Sequence, residues 1–361
     1  MIGAFVYDAL PVRVVFGRGT LSATAAEVER LGAKRALVLT TAQQEAEGRR
    51  LGATLGGLFG GIYPGATMHT PAHVTEAALS VMMESGADCV VSLGGGSTTG
   101  LGKALALRTG VKQLCIPTTY AGSEMTPILG ETKDGLKTTV RTFDVLPETV
   151  IYDVDLTLTL PAALSATSGI NAVAHAVEAL YARDRNPIVS LMAEEGIRTL
   201  AVALPAIIRD PQDTEARTQA LYGAWLCGYC LGSVGMALHH KLCHVLGGSF
   251  NLPHAETHTI VLPHAVAYNA AAAPEAMAAI RRALDVPEAA NGLFALICRL
   301  GVPQALAEIG MQWEGIAHAA DIAVENPYWN PRPIERDAIH ALLLRAHAGK
   351  PPLSETVSKA S

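Results

Sequence analysis

The apolar pattern of the chain changes character at Leu160-Pro161, and that change constrains the fold more than any other feature. Before it, short β-rich runs alternate with helical stretches. RALVLT (35–40) reads as a strand, and HVTEAALSVMMESG (73–86) follows with helical spacing. CVVSLGG (89–95) is a continuous apolar run, as expected of a parallel strand covered on both faces. LGKALALRTG (101–110) is helical and stops at a glycine; VKQLCIPTT (111–119) and TVIYD (149–153) read as further strands. Such alternation predicts a parallel α/β sheet. The runs Phe5–Asp8 and Arg13–Phe16 are candidates for extra strands or for a crossing between subunits. After residue 155 only Ala-rich helical segments follow. The expected fold is therefore an α/β N-terminal domain with a parallel sheet (1–158) and an all-α C-terminal domain (159–361). NAAAAPEAMAAIRRAL (269–284) reads as a helix interrupted by Pro274, and the polar tail after Gly349 is expected to fray.

Length agrees with this division, since 361 residues exceed what one core holds. Half the chain is hydrophobic and 17% is charged, which excludes a disordered chain. A net charge of -6 with no Lys/Arg run argues against nucleic acid as a partner. The N-terminus lacks the order of a signal peptide, and no apolar run reaches the roughly 18 residues of a membrane helix. No membrane partner is expected, and the cytoplasm is the default location. Cys227-Gly-Tyr-Cys230 is the one CxxC; its helical context favours two buried thiols over a redox dithiol.

Several motifs carry chemistry. Gly94-Gly95-Gly96-Ser97 follows a predicted strand and precedes a helix. Successive glycines let backbone approach a phosphate, and the helix start offers unpaired N–H groups. It is not GxGxxG, so the nucleotide need not sit as in a standard dinucleotide fold. The stretch Ile116–Glu124 ends another strand, where ligands of open α/β sheets bind. Thr118 and Thr119 are cofactor candidates there, and Tyr120 and Ser123 are substrate candidates. Thr41, after the first strand, and Lys137 complete the cofactor set. Asn171 and His175 share a helix face, as do His240 and His244. His239, His240, His244, His254, His258 and His264 fall within 26 residues, a density that points to a site for a metal, an anion or a proton.

In this order, GGGS with Lys103, PTTYAGSE, LTLTLP (156–161), GINAVAHAVE (169–178), HHKLCHVLGGSFNLPH (239–254) and NPR (330–332) resemble the iron-containing (group III) alcohol dehydrogenases, over nearly the whole chain. The resemblance implies a dehydroquinate synthase-like fold whose α/β domain holds NAD(P). It also implies a catalytic metal held by an Asp and three His. Carried over by motif, those positions are Asn171, His175, His240 and His254, and His244 matches a further histidine near the nicotinamide. A neutral amide is a much weaker ligand for Fe²⁺ or Zn²⁺ than a carboxylate, so no metal is expected. Three imidazoles are still enough for zinc. The asparagine, the doubled His239-His240 and PHAETH resemble the maleylacetate reductase branch, which reduces an enone dicarboxylate to 3-oxoadipate in aromatic-compound degradation. Thr41 stands where some members carry an Asp that repels a 2′-phosphate, so NADH is expected as cofactor with NADPH tolerated. Gly100 replaces an Asp common after GGGS.

Hydride added to an enone leaves an enolate, which is less basic than an alkoxide, so hydrogen-bond donors can replace a metal. His175, His240, His244 and His254 are the expected catalytic residues, with no single general acid assigned. His239 and His258, with Asn171, are expected to meet the substrate, the two histidines at a carboxylate. A small dicarboxylate and a second copy of the chain, in a homodimer, are the expected partners. Alternatives are a metal-dependent alcohol or hydroxyacid dehydrogenase, a lyase using NAD⁺ transiently, and a binding protein with a decayed site.

Overall fold

The structure, a computed structural model, describes residues 4–133, 136–325 and 328–353. The chain divides into two compact units. One runs from Ala9 to Leu160; the other runs from Pro161 onward and takes in the segment up to Asp8.

The α/β unit is built on β1 (Arg13–Gly17), α1 (Thr24–Arg30), β2 (Ala36–Leu39), α2 (Glu45–Leu55), β3 (Phe59–Tyr63), α3 (Ala72–Ser85), β4 (Cys89–Gly94), α4 (Gly96–Thr109), β5 (Lys112–Pro117), β6 (Ile128–Lys133), β7 (Leu136–Arg141) and β8 (Thr149–Asp153). Six strands form one sheet in the order β1-β8-β5-β4-β2-β3, every neighbouring pair parallel. β2, β4 and β8 are buried along their whole length. Their unbroken Val/Leu/Ile content follows from helices covering both faces. β1 and β3 are the edges and are only partly buried. From β2 the chain winds outward to β3, and from β4 it winds the other way to β5 and β8. The direction reverses between β2 and β4, so the carboxyl ends of these two strands flank the crevice where such sheets bind ligands.

Four strand expectations agree with β2, β4, β5 and β8, and Arg13–Phe16 falls in β1. Phe5–Asp8 is not a strand. β3 and the antiparallel β6–β7 hairpin carry no alternating apolar signal; β3 is interrupted by Gly60 and Gly61, and β7 is rich in Lys, Thr and Arg. α4 begins at Gly96, five residues before the expected helix, so Gly96 and Ser97 form its first turn.

The second unit is helical throughout its described residues: α5 (Ala162–Leu180), α6 (Pro187–Arg209), α7 (Thr214–Ser233), α8 (Leu238–Phe250), α9 (His254–Asn269), α10 (Pro274–Leu284), α11 (Ala289–Leu300), α12 (Gly315–Glu325) and α13 (Arg336–His347). Pro274 does not interrupt a helix but opens α10, at the position where its missing N–H is harmless. α5 is buried from Ser165 to Leu180 and packs against α6, α7 and α9. Asn186 and Asp213 cap α6 and α7 through their side chains. Cys227 and Cys230 are free, buried thiols on α7, and burial pushes both pKa values up, so they behave as apolar side chains and not as a dithiol. The segment before Ala9 is joined to this unit by the Tyr7 and Tyr229 hydroxyls, 2.8 Å apart. Residues after Leu353, including most of the tail expected to fray, lie outside the described residues.

Candidate active site

On the α/β unit, the ends of β2, β4 and β5 bring the glycine turn together with polar side chains. Gly94 has φ +146°, and a Cβ there would lie 2.6 Å from Gln44 Oε1 and 2.8 Å from Thr98 Oγ1. Both conformation and space require glycine. Gly95 precedes α4 and carries no side-chain cap, and the first turn of α4 holds no acidic residue. The N–H groups of that turn are left for a ligand, and the helix dipole favours an anion. Gln44 Nε2 donates to Thr118 Oγ1 at 3.0 Å, and Thr41 Oγ1 lies 3.4 Å from Gln44 Oε1. Thr119 faces Gly95, and Ser123 faces Gly96. Ser123 Oγ is buried with no hydrogen-bond partner. Thr41, the GGGS turn, Thr118, Thr119 and Ser123 thus gather beyond the carboxyl ends of β2, β4 and β5, together with Gln44, which no sequence motif marks. This turn fits a dinucleotide pyrophosphate. Tyr120 is fully buried. Lys103 is also buried and donates to the carbonyls of Ser123, Thr126 and Ile128 at 2.6–2.9 Å, so it holds the loop and does not face a ligand. At Gly100 a Cβ would run into Thr70 Oγ1, which leaves no room for the Asp of the family pattern. Lys137 lies on β7, paired with Thr132.

The helical unit carries the histidines. α5 contributes Asn171, His175 and Glu178 from one face, α8 contributes His239, His240, Cys243 and His244, and α9 contributes His254 and His258. His175 Nδ1 lies 2.8 Å from His240 Nε2, and His240 Nδ1 lies 2.7 Å from Glu178 Oε2. His239 Nε2 lies 3.0 Å from His258 Nδ1. Ring contacts join both pairs: His240 and His258 have centroids 5.0 Å apart, His254 and His258 4.3 Å, His240 and His244 6.3 Å. His239 and His258 are fully buried, His175 and His240 nearly so, and His244 and His254 are exposed. The cluster therefore runs from solvent-reachable rings to sealed ones. Among the described residues no ring contact ties His264 to it, although the sequence grouped all six.

Glu178 was not recognised from the sequence as a site residue. It is the only charged residue of α5 and is fully buried. A lone buried charge demands partners, and that was the available signal. Its oxygens accept from the backbone N–H groups of Ala237 and His239, both at 2.8 Å, at the start of α8. Burial alone would raise its pKa, but the His240 hydrogen bond and charge, then His239 and the Ala237 N–H, outweigh it and hold the carboxyl at about 2. Burial pushes His239 down to about 3 and His258 well below the usual imidazole range, helped by the neighbouring rings. Both are neutral near pH 7, so neither offers a positive charge to a carboxylate. Each pair member can still present an N–H: His239 Nδ1 and His258 Nε2 have no hydrogen-bond partner.

This burial sets a pH dependence of stability. His264 is likewise pushed down, to about 4, first by burial and then by Arg345. Unfolded histidines titrate near ~6.5, so below that pH the unfolded chain binds more protons, and stability falls as pH drops. Each such histidine contributes about 1.4 kcal/mol per pH unit. The Glu178 carboxylate is ionised throughout this window and does not alter the slope. Thermal unfolding followed between pH 7 and 5 should show a falling midpoint, and His264→Gln should flatten the slope. A flat profile in the native protein would contradict the buried neutral state.

Residues 11–154 match the iron-containing alcohol dehydrogenases, and residues 165–347 match the C-terminal part of the Fe-containing alcohol dehydrogenase family. This chain belongs to the iron-containing alcohol dehydrogenase family. A relative in Rhizobium sp. (strain MTP-10005), a maleylacetate reductase, is 57% identical over 348 residues, which are 96% of this chain and 99% of that protein. The crystal structure of maleylacetate reductase from Agrobacterium tumefaciens is 56% identical with a TM-score of 0.95, covering 97% of this chain and 100% of that one. An iron-containing alcohol dehydrogenase from Corynebacterium glutamicum is 41% identical with a TM-score of 0.92, covering 98% and 99%.

The metal that gives the family its name is a poor match to the donors here. An amide replaces the carboxylate at Asn171, and its Oδ1 is buried with no hydrogen-bond partner. His175 Nδ1 and His240 Nε2 are engaged with each other. A hard divalent ion prefers anionic oxygen, which this set lacks. Among the described residues, the donors that do converge, His239, Cys243 and His258, lie within 4.8 Å of one another but are a different set, and all three are held in hydrogen bonds to one another.

Proposed function

We propose that this chain reduces the carbon–carbon double bond of maleylacetate with NADH, giving 3-oxoadipate, without a metal. The observation that carries the reading is the full-length similarity to maleylacetate reductases at 57% and 56% identity. The Asn171 amide and the imidazole chain beside it support the metal-free part. Bound at the glycine turn, NADH supplies the hydride. NADPH is tolerated because Thr41, and no carboxylate, stands just after β2.

The protein's own residues handle the other half of the chemistry. Hydride addition at the carbon β to the ketone sends an electron pair toward the ketone oxygen. An imidazole N–H of exposed His244 or His254 donates to that oxygen, beside the His175–His240 pair. The carbon next to the ketone then takes a proton from an imidazolium, which returns to the neutral ring and is recharged from water. Neutral N–H groups of His239 or His258, with Asn171, orient the substrate; on the α/β unit, Tyr120 and Ser123 are its candidate contacts. Thr41, Gly94, Gly95, Gly96, Ser97, Thr118, Thr119 and Lys137 are assigned to the cofactor. All six cysteines are unpaired, which supports a reducing, cytoplasmic setting. A homodimer is the expected assembly.

The test is NADH consumption with maleylacetate by enzyme dialysed against a chelator and analysed for metals. Full turnover at negligible metal content is expected. Turnover that disappears and returns with Fe²⁺ or Zn²⁺ would favour a second reading, the metal-dependent alcohol dehydrogenase chemistry suggested by family membership.

A further inference from the structure

We propose that Glu178 is a positioning residue of the imidazole chain: its carboxylate fixes the tautomer and ring plane of His240, and so which ring donates in the His240–His175 hydrogen bond. The inference rests on the reduction proposed above.

The hydrogen placement follows from the partners. Glu178 Oε2 faces Ala237 N at 2.8 Å and His240 Nδ1 at 2.7 Å, and Oε1 faces His239 N at 2.8 Å. Backbone N–H groups can only donate, so both oxygens act as acceptors. The carboxylate also sits at the start of α8, whose own cap residue, Ala237, has no side chain to satisfy the first turn. The helix dipole there favours the anion. The hydrogen of the third contact therefore belongs to His240 Nδ1. In the neutral ring Nε2 is then bare, and it accepts from His175 Nδ1 at 2.8 Å. His175 in turn is bare at Nε2 when neutral. Every hydrogen in the chain points toward Glu178.

The neighbouring pair lacks this device. His239 and His258 bond to each other, but the outer nitrogens, His239 Nδ1 and His258 Nε2, have no partner. No charged group selects which of the two rings donates; the further contact of the bonded nitrogens is the weak one of Cys243 Sγ, 3.7 Å from His239 Nε2. Direction is imposed only where Glu178 meets a ring.

In the reaction, hydride forms the C–H bond at the carbon β to the ketone. The proton from the imidazolium forms the C–H bond at the adjacent carbon, and the ring is left neutral. With the tautomers reversed, the neutral His175 would turn an N–H outward in place of a bare nitrogen.

Two measurements on the full-length enzyme test this. Glu178→Gln keeps shape but leaves one acceptor oxygen and an amide that must donate, so the N–H groups around it are no longer all satisfied and the His240 tautomer is no longer fixed. It should lower kcat about 10- to 100-fold with little change in KM for NADH, and Glu178→Asp should recover part of the loss. Nitrogen-15 spectra of the histidines should show His240 protonated at Nδ1 and bare at Nε2, with a low-field ring proton that disappears in Glu178→Gln; assignment uses His240→Gln. A folded Glu178→Gln enzyme with unchanged kcat would overturn the proposal. So would a native spectrum with His240 bare at Nδ1, which decides the matter even if the variants fail to fold. Native enzyme inactive on maleylacetate would defeat the functional reading alone, because the tautomer is read without turnover.

Discussion

Replacing His240 with Ala should lower kcat for maleylacetate reduction by about 10²- to 10⁴-fold, the range lost when a positioned proton donor is removed. His240 is the one ring that touches Glu178, His175 and, through ring contacts, His239, His244 and His258. Its loss cuts the chain that supplies both the donor to the ketone oxygen and the proton. NADH affinity should stay close to that of the native enzyme, since the cofactor candidates all lie on the α/β unit. The fold will weaken too. Glu178 loses its shorter side-chain donor, keeping only the Tyr181 hydroxyl at 3.4 Å, while remaining buried; the cost is about 1–3 kcal/mol, so turnover must be compared at a temperature where circular dichroism shows both proteins folded. His240→Gln is the control, because its amide can again donate to Glu178. It should restore stability without restoring turnover. Turnover near the native rate in both His240→Ala and His254→Ala would refute a histidine-based mechanism.

Gly94→Val should abolish tight NADH binding and leave the helical unit intact. The φ of +146° is costly for any β-branched residue, and the new Cβ would collide with Gln44 and Thr98. Relief requires the turn to move, and with it the uncapped N–H groups at the start of α4. Strain of about 1–3 kcal/mol corresponds to roughly 10- to 100-fold in affinity. Fluorescence titration with NADH measures it directly. An unchanged dissociation constant would mean that the cofactor phosphates bind elsewhere.

The sequence exposed those parts of this protein that are governed by local rules. Strands β2, β4, β5 and β8 were legible because burial on both faces requires an unbroken apolar run. The Asn171/His175 and His240/His244 faces were legible because helical period alone puts residues four apart together. The hairpin β6–β7 was not, because its strands are partly exposed and polar, and their stability comes from each other. Glu178 was hidden for a related reason. On α5 it looks like one polar residue in an apolar helix; its meaning depends on the start of α8, some sixty residues later. Which histidine meets which could not be read either. Spacing predicted a cluster of six, but only the packing of α5, α8 and α9 pairs His175 with His240 and His239 with His258.

During synthesis, Tyr7 leaves the ribosome long before Tyr229, its partner 222 residues further on. Everything from Ala9 to Leu160 emerges in between and can complete its sheet without waiting for later sequence. The opening segment cannot; it must stay undocked until α7 has formed. A nascent chain halted near residue 200 would therefore carry a finished parallel sheet and a loose leading end. Protection of that end from proteases would mark the moment when the helical unit closes.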